Sequence, residues 1–142
     1  MPGGLLAAVR RRLERERAVR MVAGDPALTA ELLLLFRVIL ADGEVREREL
    51  EAFRRVCRES FGIDPDVMDG VYQYLQDFAY EMSPAQAAAV FKDLPLQRRQ
   101  TLLDNMIAIA SADSDIDPRE HKFVARIAEM LDFDLKGGAP AD

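Results

Sequence analysis

The side chains of this 142-residue chain best placed to do chemistry are carboxylates. Asp113, Asp115, Asp117 and Glu120 crowd one short stretch, and Asp42, Glu44 and Glu49 stand at matching places 71 residues earlier. Oxygen donors at such density suit hard cations, Ca²⁺, Mg²⁺ or Mn²⁺. Zinc is a poor match, because the chain has one cysteine, Cys57, and one histidine, His121. Asp113, Asp115 and Asp117 begin like an EF-hand loop. The sixth position is Pro118 where that turn needs glycine, and the twelfth is Val124 where a bidentate glutamate belongs. The EF-hand is therefore excluded. Paired carboxylates can also do acid–base work. Nothing here adds a nucleophile, a phosphate-cradling glycine loop or a placed histidine, so a non-enzymatic protein without an organic cofactor is expected. A metal-dependent hydrolase is the remaining catalytic alternative.

Two further readings of the acids need no metal. Asp117 as N-cap, Pro118 at the first helical position and Glu120 at the third make a start like a capping box. The upstream copy fits this less well, since Arg46 occupies the place of Asp117 while Glu49 is kept at that of Glu120. Capping alone does not require that glutamate. Alternatively, acidic loops at matched places could present one negative patch to a basic partner. Like charges held together destabilise a fold unless something neutralises them.

These loops are held by helices. Both copies read Ala-Asp-small-acid-β-branched-x-x-Arg-Glu, at residues 41–49 and 112–120. The flanks align as well: Leu32, Leu35, Phe36 and Ile39 with Leu103, Met106, Ile107 and Ala110, and Phe53, Val56 and Cys57 with Val124, Ile127 and Ala128. Two related helix–loop–helix halves in one domain are expected. Apolar spacing of three and four residues, with Asp-Pro or Ser-Pro starts at Asp25, Asp64, Ser83 and Asp117, predicts helices over residues 26–41, 46–61, 65–81, 85–92, 96–112 and 118–131. With a first helix ending near Gly24, this is an all-α bundle of about seven helices. No stretch shows the alternation of a strand. Cys57 falls on an apolar stripe and reads as a buried structural thiol. Tyr72 and Tyr80 read as amphipathic edge residues.

Charge divides the chain into a basic N-terminal helix (1–24), a helical domain (25–135) and a frayed tail (136–142). Residues 1–24 hold six arginines, from Arg10 to Arg20, against Glu14 and Glu16, a net +4. The total is −6, so the remainder carries −10. An acidic body disfavours nucleic acid. The first helix has a narrow stripe of Leu5, Leu6, Val9 and Leu13. One reading docks that stripe on the body. The other is a surface for a partner or for anionic lipid headgroups, a peripheral membrane contact through residues 10–20. No secretory signal is readable and no run approaches the ~18 apolar residues of a membrane span. A cytoplasmic protein with unidentified protein partners is expected.

The run Leu-Leu-Leu-Phe-Arg-Val-Ile-Leu-Ala-Asp-Gly-Glu-Val at residues 33–45, closed by Glu49, and the run Ile-Ala-Ile-Ala-Ser-Ala-Asp-Ser-Asp-Ile-Asp-Pro-Arg-Glu at 107–120 resemble the two halves of the TerB-like family. That family includes the tellurite-resistance protein TerB and the N-terminal domain of the DjlA co-chaperone. The resemblance covers about residues 28–134. It implies an all-helical fold, stress-response complexes near the inner membrane, and an acid cluster for a divalent metal. By position that cluster is Asp42, Glu49, Asp113 and Glu120, with Glu44, Asp115 and Asp117 nearby. Ser114 replaces the second motif's usual glycine, and Arg46 an acid or capping residue.

Overall fold

The computed structural model describes residues 2–41, 43–79, 81–112, 117–134, 139 and 140. Among them the chain forms seven α-helices: α1 (Pro2–Ala23), α2 (Pro26–Leu40), α3 (Glu47–Phe61), α4 (Met68–Phe78), α5 (Pro84–Lys92), α6 (Leu96–Ala110) and α7 (Pro118–Met130). A two-residue antiparallel pairing of Phe133–Asp134 with Ala139–Pro140 is the other regular element described besides one 3-10 turn. The all-α expectation holds.

The bundle is built around α2. Asp25 starts it by accepting hydrogen bonds from the N–H groups of Ala27 and Leu28, at 3.1 and 3.2 Å. Pro26 takes the first position, where its missing N–H costs nothing. Leu28 to Phe36 are all buried, as are Val38 and Ile39. A helix apolar on every face must be covered on every face, and all six other helices pack on α2. Arg37, which interrupts this apolar run, is half-buried and put to use between α2 and the end of α4. Its guanidinium donates to the carbonyls of Ala79, at 2.7 Å, and Met82, at 3.3 Å. It thereby satisfies the carbonyl of the α4 C-cap, Ala79, and one in the connection to α5.

The helix expected over residues 65–81 is shorter than that. Pro65–Val67 form a 3-10 turn, capped by Asp64 on the N–H of Asp66, before α4 begins. Gly43 follows α2 with φ +81°, the left-handed backbone that glycine adopts without a Cβ penalty. Ser83 and Gln86 make a reciprocal capping box at the start of α5. Tyr72 is partly buried against Phe36 and Phe53, with ring centroids 5.9 Å from each, while Tyr80 lies outside the described residues.

The first helix departs from one of its two readings. Leu5, Leu6, Val9 and Leu13 do not dock; they are 69, 67, 49 and 53% exposed. The contact with the body is made further on, by Arg15, Ala18, Val19 and Val22. Arg15 Nη1 reaches Asp69 Oδ2 at 3.0 Å. Its stem lies against Gly70, where any side chain would collide with it. The absence of a Cβ at that one place lets α1 cross α4 closely.

Candidate functional site

The acidic motifs lead into the first turns of α3 and α7. Glu49 is the third residue of α3 and Glu120 the third of α7. Both are buried, at 0 and 2% exposure. A carboxylate at that depth is held there by hydrogen bonds, a cation or a bound metal, because burying an uncompensated charge is very costly. The helix N-terminus contributes, since the partial positive charge of its first turn favours an anion.

The residues aligned by the 71-residue offset share this burial. Leu32 and Leu103, Leu35 and Met106, Ile39 and Ala110, Phe53 and Val124, Val56 and Ile127, and Cys57 and Ala128 are all in the core. Phe36 and Ile107 are the exception, at 4 and 42% exposure. Phe36 has Phe53 and Tyr72 to pack against.

The N-cap of α7 is Asp117. Its Oδ1 accepts from the backbone N–H of Arg119 at 2.8 Å and lies 3.3 Å from the Arg119 Nε. The backbone N–H and the guanidinium of Arg119 hold its carboxyl below the usual carboxylate range, with the charge of Arg46 contributing. Arg46 is the N-cap of α3. The two helix starts, far apart in sequence, are therefore within electrostatic reach of each other. Arg46 makes no side-chain cap of its own helix; its Nη2 lies 3.9 Å from Glu44, whose side chain is exposed.

Of the seven acids expected at a metal site, the structure places Glu49 and Glu120 in the interior, Asp117 on a helix cap and Glu44 at the surface. Asp42, Asp113 and Asp115 lie outside the described residues, as does Ser114. No group of three or more metal-binding side chains converges among the described residues. The donors that are described remain oxygen donors of the kind a hard cation takes. Cys57 is not among them: burial, and next the charge of Glu31, push its thiol up to about 12.

The family model for tellurite resistance protein TerB matches residues 27–137. The chain belongs to the TerB family. No curated protein and no solved structure shows a significant match. The TerB match begins within the second helix, so α1 lies before it. No helix among the described residues is long and apolar enough to cross a membrane.

One buried carboxylate in this TerB domain was not read from the motifs. Glu31, on α2, is 2% exposed and faces Arg98 of α6, with Oε1 and Nη2 3.6 Å apart. Burial pushes its carboxyl up to about 7, against the opposing charge and hydrogen bonding of Arg98, with Asp25 adding to the rise. The available signal was an acid standing directly before four consecutive leucines on a helix with no polar face. Glu31 is separate from the acidic motif. It influences Cys57, which is eight residues, or about 12 Å of helix, beyond Glu49.

Proposed function

We propose that this chain is a non-enzymatic TerB module that binds a divalent cation through its paired acidic motifs and works in cytoplasmic complexes responding to tellurite or metal stress. The supporting observation is the pair of buried glutamates, Glu49 and Glu120, at the same turn of two helices that follow matching motifs. Glu49 and Glu120 would hold the ion, with Asp42 and Asp113 as the further ligands the family resemblance implies. A divalent cation at these oxygens would neutralise their negative charge. Tellurite is itself an anion, so these residues would meet it only through a bridging cation. No organic cofactor enters this reading, and the partner is a protein of unassigned identity.

Asp117 favours a second reading, a metal-free interaction scaffold. Its carboxylate is committed to capping α7 and to Arg119, which is what an acid that only caps a helix does.

Thermal melting separates the two. With EDTA as baseline, Ca²⁺, Mg²⁺ or Mn²⁺ at about 100 times Kd stabilises by about 2.7 kcal/mol, and the melting midpoint rises by several degrees. Glu49→Gln and Asp113→Asn should each lose most of that rise. A midpoint indifferent to all three cations in the unmodified protein would sink the metal reading and leave the scaffold.

A further inference from the structure

The exposed part of α1 is unusual for a helix joined to a folded body. Every residue from Gly4 to Glu14 is exposed, and Arg15 is the first to be partly covered. A helix of this length without tertiary support is marginal in water. It nonetheless carries four large apolar side chains, Leu5, Leu6, Val9 and Leu13. At about 100° per residue, the centre of that stripe lies roughly 140° from the face formed by Arg15, Ala18, Val19 and Val22. The apolar stripe thus points away from the surface that anchors the helix.

Its flanks are cationic. On the same spacing Arg12, paired with Glu16 at 3.3 Å, lies to one side of the stripe, and Arg10 and Arg17 to the other. Arginine stems can run along an apolar surface while their guanidinium groups reach outward. An apolar stripe bordered by arginine on both sides fits the headgroup boundary of an anionic bilayer, where the stripe enters the acyl region and the arginines meet phosphates. We propose that residues 4–14 of α1 dock on anionic lipid.

The acidic body does not oppose this. Its field acts mainly on the anchored end: Arg12 lies about 4.5 Å of helix from Arg15, within the Debye length of about 8 Å at physiological salt, while residues 4–9 lie about 9 Å or more from it. A second copy of the chain is the weaker occupant. Leu6, Val9 and Leu13 have seam spacing, but Glu16 and Arg20 occupy the next two seam positions. One heptad is too short for a coiled coil, which needs three or four. Residues 4–14 also precede the family match, so the proposal concerns this chain's own extension and is independent of the acidic motifs.

Co-sedimentation of the full chain with vesicles tests it. Vesicles containing phosphatidylglycerol should bind the protein at least tenfold better than vesicles of phosphatidylcholine alone. Binding should fall as salt rises from ~0.1 M to ~1 M, which shortens the screening length from about 10 to about 3 Å. Arg10→Gln and Arg12→Gln should each weaken binding about fivefold. Leu6→Glu with Leu13→Glu should abolish it while leaving the melting midpoint unchanged, because both side chains are mostly exposed. Equal binding to both vesicle types, binding indifferent to salt, or no binding overturns the proposal. So does a concentration-dependent dimer that Leu6→Glu disrupts, which would assign the stripe to a second copy.

Discussion

Raising the pH from 5 to 8 should destabilise the protein by on the order of 3 kcal/mol through Glu31 alone. The folded carboxyl titrates at about 7, against 4.5 when unperturbed. Between those values the unfolded chain releases its proton and the folded chain keeps it. The unfolded state therefore binds fewer protons, and stability falls as pH rises through this window. Below about 4.5 both states are protonated and Glu31 contributes no slope. Above about 7 both are ionised and the loss is complete. Arg98 faces the carboxylate and limits the cost, Asp25 adds to it, and the Cys57 thiol stays protonated throughout. Glu31→Gln keeps the shape and removes the titration. Urea midpoints of the two proteins should lie close together at pH 5 and separate towards pH 8, with Glu31→Gln the more stable. Parallel curves would show that Glu31 does not hold its proton as burial dictates.

Phe53→Ala should be more damaging still, at about 3–5 kcal/mol. Phe53 is fully buried one turn beyond Glu49 in α3. Its ring centroid lies 6.0 Å from that of Phe36 on α2 and 5.9 Å from that of Tyr72 on α4. One ring thus ties three helices, and its removal leaves a cavity that α2, already packed on every side, cannot close. Denaturant titration gives the magnitude. Phe53→Leu, which keeps much of the volume, should cost distinctly less. Similar losses for both variants would mean that the aromatic cluster, and not the filled space, sets the stability.

Much of the fold was legible because its punctuation is local. Asp25, Asp64, Ser83 and Asp117 each precede a proline, and each accepts a backbone hydrogen bond at the start of its helical element. The apolar spacing of α2 and α3 gave their buried faces for the same reason. What escaped depends on residues distant in sequence. A periodic stripe shows that a helix has an apolar face and is silent on what meets it. In α1 the stripe at Leu5–Leu13 stays in solvent, while the contacts fall on a different set beginning at Arg15. The shift of α4 to Met68 reflects a 3-10 turn that the Asp-Pro start does not distinguish from an α-turn. At the acidic motifs, the repeated spacing marked Glu49 and Glu120, yet only folding shows that both are buried and that the charge of Arg46 is felt at Asp117. Glu31 escaped because a single acid in a leucine run has no motif. Its meaning comes from Arg98, 67 positions later.

The coverage of α2 by all six other helices has a consequence for how the domain opens. A helix at the margin can detach and leave the core intact, and such local openings cost only part of the global stability. α2 has no such route, because freeing it uncovers the apolar faces of all its neighbours at once. Its amides should exchange with solvent only through unfolding of the whole domain, while residues 4–14 of α1 exchange almost as a free peptide does. The chain thus combines an all-or-none centre with an extension that can order or fray without disturbing it.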